Sequence, residues 1–410
     1  MINERFNIRV EKKSTVKTGN RDYDYEAIVV GLGPAGSNAA YHLARAGIRA
    51  LAIEEKKMPR RKLCAGGISA KVINLLDFDY SEAIEQEIRS AAIHYRHKIV
   101  EMSGGEKVGY VVHRPVFDQL LALRAAKAGA EIHEEESVLS ISEIDGFIEV
   151  KTNLHVYRCR ALIGADGVNG VTAGLWGYKI RPADIGVEIH VNREQAIVRQ
   201  HRDQLSFYFG NFSNGYAWIF PRKEGASVGL GVPWKRARHA RPLLANFLES
   251  IGLPRSMSEK AKGHGIPLYS PLRRKPFCRR NILLAGDAAS LVDPITAEGI
   301  YYALKSGEEA ASAIIQALST GSEAAAIYSD ALKRSLLAEL KAAWKLALPF
   351  YAFQLATFNA IMTNARIRDM QFDVIVGRRS YQEIVAQFPN MFLLLKKILF
   401  ARFDARKIRS

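Results

Sequence analysis

Residues 25–36, Tyr-Glu-Ala-Ile-Val-Val-Gly-Leu-Gly-Pro-Ala-Gly, constrain the fold more than any other stretch of this 410-residue chain. An apolar run (Ala27, Ile28, Val29, Val30) leads into Gly31, Gly33 and Gly36 at G-x-G-x-x-G spacing. The run reads as a buried parallel strand, and residues 37–44 read as a helix. A second apolar run, residues 50–53, ends at Glu54. Each part has a task in holding a dinucleotide. The first glycine makes the tight turn, the second lets the backbone approach a pyrophosphate, and the third lets helix and strand pack closely. Pro34 and Ala35 open the helix, whose N-terminus offers free N–H groups and a positive dipole end to phosphate. Glu54 is positioned to accept a hydrogen bond from a ribose hydroxyl. A glycine-rich turn alone often serves structure only. Strand, turn, helix, strand and acid in sequence point to a dinucleotide, without saying which.

The chain is long enough for two or three lobes around large cores, and its 48% apolar content is that of a folded globular protein. Its three cysteines, Cys64, Cys159 and Cys278, are widely spaced, so no disulfide framework or metal-ligand spacing is expected. A cysteine-ligated iron–sulfur cluster, which needs four thiolates, is excluded. The start of the chain lacks the apolar core of a secretory signal, so the expected location is the cytoplasm. The net charge of +16 points to an anionic partner. No nucleic-acid-binding motif accompanies it; an anionic membrane surface or an acidic electron-donor protein fits, beside a merely basic soluble surface.

Residues 1–22 are polar and read as a flexible tail. The pattern then predicts an α/β fold with a Rossmann-like dinucleotide domain made of residues 23–178 and 276–320. Part of 65–113 joins a second lobe, residues 179–275, where strand-like alternation (205–209, 226–232) indicates an antiparallel sheet. Residues 114–129 form a helix opened by Arg114 and Pro115 and closed by Gly129. Residues 321–410 are helical and apolar. Within them the 20 residues between Lys345 and Arg366 carry no formal charge, the length of a membrane span. Pro349, Gln354, Asn359 and Asn364 punctuate this stretch, which favours a buried or groove-lining helix over a span. Residues 391–403 read as an amphipathic helix able to lie on a membrane, or as an ordinary packed terminal helix.

Two further strand-end aspartates, Asp166 in Gly-Ala-Asp-Gly and Asp287 after Gly286, join Arg114 in the same order along the chain. With the N-terminal unit they resemble the flavoprotein hydroxylase-type superfamily, which implies FAD as cofactor. Within it the chain resembles the geranylgeranyl reductase family over nearly its whole length. The carriers are Lys62-Leu63-Cys64-Ala65-Gly66-Gly67, Tyr216-Ala217-Trp218-Ile219-Phe220-Pro221, and residues 293–304 beginning Asp-Pro-Ile-Thr-Ala-Glu-Gly-Ile. Leu63 stands where the family usually has Pro, Ala65 and Ala297 where it often has Gly, and Ser213 where it often has Pro. These departures change loop stiffness more than chemistry.

The resemblance implies an FAD-dependent reductase that saturates C=C bonds of a long isoprenoid chain on a lipid, quinone or pigment alcohol. Such a reaction needs a hydride from the reduced flavin, a proton for the other carbon, and a dry apolar cavity. The resemblance sets Cys64, Ala65, Gly66 and Gly67 beside the flavin ring, with Cys64 either a participant in protonation or a small packed hydrophobe. Tyr216, Trp218 and Phe220 lie two apart on one strand face, as a pocket wall or as sheet core. Pro294, Gly299 and Ile300 start a helix whose N–H groups would face the flavin's pyrimidine edge. No second dinucleotide motif is visible, so electrons would enter from a diffusing donor, NAD(P)H or a ferredoxin-like protein. Two rival readings share the fold: an FAD monooxygenase of an aromatic or polyketide substrate, and a membrane-docked flavoprotein passing electrons to quinone.

Overall fold

The computed structural model describes residues 22–103, 107–176, 183–212, 214–272 and 277–387. Residues 1–21, Ser213 and residues 391–403 lie outside them, and with them nearly all of the tail and the amphipathic terminal segment read from the sequence.

Strand Tyr25–Val30 lies in the middle of the first sheet because its run Ala27–Val30 is apolar and buried on both faces. Its partners are parallel: Val156–Gly164 on one side and Ala50–Ile53 on the other. Ile282–Leu284 and Glu131–His133 extend the sheet, and the hairpin of Val138–Ile144 and Phe147–Thr152 branches from Val156–Gly164. The two faces separate by alternation. Ala27 and Val29 pack with helices Pro34–Arg45 and Ile300–Thr320, whereas Ile28 and Val30 pack under the hairpin. Helix Ala324–Leu332, past residue 320, also sits on this sheet: Tyr328 donates its hydroxyl to the Leu284 carbonyl at 2.7 Å.

The second sheet has seven strands, in the order Lys262–Ile266, Asp184–Asn192, Gly225–Pro233, Tyr216–Arg222, Gln204–Phe209, Ser90–Tyr95 and Lys98–Ser103. All neighbours are antiparallel except Gln204–Phe209 with Ser90–Tyr95, which are parallel. Alternation again assigns faces. Ala217, Ile219, Val228 and Leu230 pack on one side with helix Ala240–Ser250. Tyr216, Trp218 and Phe220 point the other way, towards the first sheet's glycine turn. A short sheet of Gly67–Ser69, Gly109–Val112 and Ile84–Ile88 bridges the lobes.

The uncharged stretch of residues 346–365 is not one helix. It breaks at Phe353, after helix Ala338–Ala352 and before Gln354–Thr363, where the helical stretch Ala324–Ala352 meets Gln354–Thr363 at a bend of 101°. Among the described residues no single helix is long and apolar enough to cross a membrane. Phe358 and Ile361 on the inner side pack against Ile93, Val111 and Phe209, covering the second sheet's inner face.

Candidate active site

A cavity of about 620 Å³ opens between the two sheets. Gly31 turns at φ +94°, and a Cβ there would come within 2.6 Å of the Ala165 carbonyl oxygen. Gly36 packs directly on Gly31, so that a Cβ would overlap the Gly31 carbonyl. Gly33 differs: a Cβ there would meet only the Arg60 guanidinium, at 3.6 Å, and would otherwise stand in the cavity. Pro34 and Ala35 line the cavity beside it, and the free N–H groups of this helix start face the same space.

Glu54 is 4% exposed and lines the cavity. Its carboxylate accepts hydrogen bonds from the Leu32 N–H at 3.0 Å and the Lys56 N–H at 3.2 Å, and pairs with Arg60 at 3.1 Å. Arg60 also reaches Asp118 at 3.1 Å. Asp118 is fully buried and takes two further hydrogen bonds from Arg114, at 2.9 and 3.0 Å. Burial opposes the Arg114 charge, but the Asp118 carboxylate more than offsets it and keeps the guanidinium protonated. Asp166 holds one carboxylate oxygen on Thr172, through the N–H at 2.8 Å and the hydroxyl at 2.7 Å. The other oxygen is buried and has no partner, and burial raises the pKa of the carboxyl.

The loop carrying Cys64 is clamped from the antiparallel sheet. The Cys64 N–H donates to Glu188 at 3.2 Å, and its carbonyl accepts from Arg222 at 2.8 Å. Glu188 is fixed in turn by the Ser227 hydroxyl at 2.7 Å, which accepts from the Trp218 indole N–H at 3.1 Å. Two residues earlier, Lys62 Nζ lies 3.0 Å from His264 Nε2. Burial pushes the Lys62 ammonium below its usual range, with the Asp287 carboxylate acting against the shift. Burial and the neighbouring Lys62 push His264 down to about 4.

Opposite this loop, Asp293 builds a turn by accepting the N–H groups of Ile295 (2.7 Å) and Thr296 (3.1 Å). Tyr216 donates its hydroxyl to the Thr296 carbonyl at 2.7 Å, and Tyr351 does the same to Ile295 at 2.7 Å. Ala297 sits at φ +58°, the left-handed region that suits the glycine often found at this place in the family. Glu298 accepts the Ser69 hydroxyl at 2.8 Å, and burial raises its carboxyl pKa. Helix Ile300–Thr320 then starts with Gly299 and Ile300 on the cavity wall.

Of the residues expected at the site, Gly31, Gly33, Pro34, Ala35, Glu54, Arg114, Asp166 and Asp287 share this cavity with 64–67, Tyr216, Trp218, Phe220, Gly299 and Ile300. Three expected cofactor contacts do not line it. Gly36 is spent on packing against Gly31, Gly286 sits between Ala35 and Ala303 with its N–H on the Ser306 hydroxyl, and Pro294 is inside the Asp293 turn. Sequence reasoning passed over Asp118, Glu188, Arg222, His264, Val374 and Ile375. Only Asp118 had a local signal, its i,i+4 spacing from Arg114.

The chain matches the FAD binding domain family over residues 24–335. It is 32% identical to the digeranylgeranylglycerophospholipid reductase of Methanocaldococcus jannaschii over 310 residues, covering 71% of this chain and 78% of that protein. The chain belongs to the geranylgeranyl reductase family. Digeranylgeranylglycerophospholipid reductase 2 of Methanothermobacter thermautotrophicus matches at 30% identity over 92% of this chain and the whole of that protein. A solved structure of a geranylgeranyl bacteriochlorophyll reductase-like protein from Thermoplasma acidophilum superposes with a TM-score of 0.71 at 25% identity, covering 89% of this chain and 98% of that one. This geranylgeranyl reductase family member is an FAD-dependent oxidoreductase. The site suits that cofactor: Gly33 leaves a cradle that a Cβ would fill, and Asp166 keeps a buried oxygen for a hydroxyl to meet.

Proposed function

We propose that this protein saturates C=C bonds of a long isoprenoid chain, with a geranylgeranyl chain on a glycerophospholipid as the first candidate and a quinone or pigment alcohol as further carriers. The observation that carries this reading is the composition of the cavity opposite the dinucleotide cradle. Leu205, Phe207, Tyr216, Trp218, Phe220, Val374 and Ile375 all line it, a wall that solvates an alkyl chain and little else. The names of the relatives, reductases of a digeranylgeranyl lipid, point to the same class.

Bound FAD supplies the hydride for one carbon of the double bond. The protein's own work is then to hold the chain, keep water out and place a proton near the other carbon. An isolated trisubstituted alkene is not polarised, so positive character develops at its tertiary carbon, and the faces of Tyr216 and Trp218 can shield it. Cys64 is the proposed proton-bearing group, on a loop whose backbone is held at both its N–H and its carbonyl. The Arg114 guanidinium faces it. Electrons reach the flavin from a diffusing donor, NAD(P)H or an acidic ferredoxin-like protein, for which the net charge of +16 is suited.

The test is anaerobic incubation of the dithionite-reduced holoenzyme with geranylgeranyl lipids and quinones, read by mass spectrometry. A gain of two mass units per reduced bond is expected. No gain on any isoprenoid overturns the reading, and a gain of sixteen on an aromatic or polyketide substrate, in a parallel aerobic incubation with NAD(P)H, replaces it with the monooxygenase. Cys64→Ala and Cys64→Ser, with FAD retained, are expected to lose most turnover; near-native turnover removes Cys64 from the proton path.

A further inference from the structure

We propose that the elbow between helices Ala338–Ala352 and Gln354–Thr363 is the surface on which this protein docks to an anionic lipid bilayer. The helical stretch Ala324–Ala352 meets Gln354–Thr363 at 101°, and the outer side of the bend is apolar. Leu348 is 44% and Leu355 53% exposed, with Ala352 exposed between them and Ala356 exposed next to Leu355. One exposed leucine on each arm of the bend gives the elbow an apolar tip open to a partner.

Charge calls for an anionic partner. From Leu340 to Arg368 the chain carries Lys341, Lys345, Arg366 and Arg368 and no acid. Lys345 and Lys341 are exposed about one and two turns before Leu348, and Arg366 is exposed beyond the far end of the second helix. An apolar tip between exposed cations is the pattern of a segment that rests at a headgroup boundary, its side chains in the acyl region and its charges among anionic headgroups.

The inner side of the same elbow explains why a bilayer belongs there. Phe358 and Ile361 are buried in one cluster with Phe209, against which Leu205, Phe207 and Tyr216 of the cavity wall also pack. Tyr351, on the same bend, holds the Ile295 carbonyl. A bilayer touching the outer face is thus about one helix diameter, ~10 Å, from the cavity wall. A chain leaving the membrane would reach the site without crossing open water. The choice of a bilayer over a protein partner rests on the isoprenoid reading above; the exposed patch and its cations do not.

The test uses full-length, FAD-loaded protein co-sedimented with vesicles of phosphatidylcholine alone or mixed equally with phosphatidylglycerol. Wild type is expected to sediment with the anionic vesicles and less with the neutral ones. Leu348→Glu with Leu355→Glu should lower the partition at least about tenfold. Lys341→Glu with Lys345→Glu should weaken it and flatten its dependence on salt. Both variants should keep bound flavin and full turnover on detergent-dispersed substrate, since neither touches the cavity. Unchanged sedimentation of the leucine variant overturns the proposal, including the case in which Leu394→Glu with Leu395→Glu in the terminal segment abolishes binding instead. Dissociation of a dimer by the leucine variant, with vesicle binding intact, also overturns it. If no isoprenoid is reduced yet the leucine variant loses vesicle binding, the docking surface stands and the functional reading falls.

Discussion

Replacing Gly33 and Gly36 with alanine, one at a time, should produce opposite defects from two positions three residues apart. Gly33 is the N-cap of helix Pro34–Arg45 with φ −76° and ψ −175°, extended backbone that alanine adopts freely. Its Cβ would meet only Arg60 at 3.6 Å. Alanine is a poorer N-cap than glycine, by about 0.5–1 kcal/mol, while the stiffer unfolded chain contributes about 0.4–1 kcal/mol the other way. The apoprotein should therefore melt close to wild type. Its methyl group would stand where a pyrophosphate must approach the backbone. Loss of one hydrogen bond to a charged oxygen costs about 1.5–3 kcal/mol, so FAD should bind about 10- to 100-fold more weakly. Gly36→Ala drives a Cβ into the Gly31 carbonyl, with Ala165 Cβ 3.2 Å away and no flexible neighbour to yield. Overpacking of this kind costs about 1–3 kcal/mol and should lower the melting temperature of the apoprotein itself. Thermal melts of both apoproteins, paired with FAD titration by flavin fluorescence, separate the two effects. Wild-type FAD affinity in Gly33→Ala would refute the cradle. Equal destabilisation of the apoprotein by both substitutions would reduce the turn to a structural one.

Three other outcomes are expected. Asp118→Ala leaves Arg60 and Arg114 facing each other without their shared carboxylate, and breaking a buried pair this way costs about 3–5 kcal/mol, visible in urea unfolding; a loss under ~1 kcal/mol would mean that the clamp is not a tight one. Burial holds His94, stacked 4.0 Å from Tyr208, down at about 4. The unfolded state, titrating near 6.5, takes up the proton first, so stability is full above pH 6.5 and falls as pH drops towards 4, with a slope of up to about 1.4 kcal/mol per pH unit. His94→Gln should flatten that slope, and an unaltered pH profile of unfolding would place the titration elsewhere. Tyr216→Phe removes the hydrogen bond to Thr296 while keeping the ring, costing about 1 kcal/mol and changing the visible spectrum of bound flavin; an identical spectrum and melt would show that the bond holds nothing in place.

What the sequence made legible is what its chemistry keeps local. Strand, turn, helix and acid within residues 25–54 are set by neighbours along the chain, and the strand at 216–220 shows its two faces through alternation alone. The loop at 62–67 and the turn at 293–300 were readable only through their family pattern, since glycine, cysteine and proline by themselves do not say what they face. The rest depends on distant pairing. Lys62 meets His264 only because the antiparallel sheet folds back over the loop, and no periodicity in 262–266 announces it. Glu188 looks like any polar residue on a half-exposed strand until Cys64, Ser227 and Trp218 converge on it. Two of the expected cofactor contacts, Gly36 and Gly286, are spent on packing, because a glycine needed for close approach and one needed for a ligand look identical in sequence. The apolar C-terminal stretch was expected as one buried or groove-lining helix, and its break at Phe353 was not foreseen, for the helix ends where the Tyr351 hydroxyl holds the Ile295 carbonyl.

The order in which the chain visits its two sheets limits how the molecule can be divided. It enters the first sheet at Tyr25, leaves to supply Ser90–Tyr95 and Lys98–Ser103 to the second, and returns for Glu131–His133 and Val156–Gly164. It then crosses again for Asp184–Ile266 before closing the first sheet with Ile282–Leu284. Neither lobe is a contiguous fragment, so no single cut yields two halves that each fold. A chimera meant to transplant chain-length selectivity from a relative must exchange residues 84–103, 184–266 and the C-terminal helices together. Swapping the long central segment alone would leave Gln204–Phe209 beside a foreign edge strand at its one parallel junction, and misregister there would reach Phe207 in the cavity wall before it reached anything else.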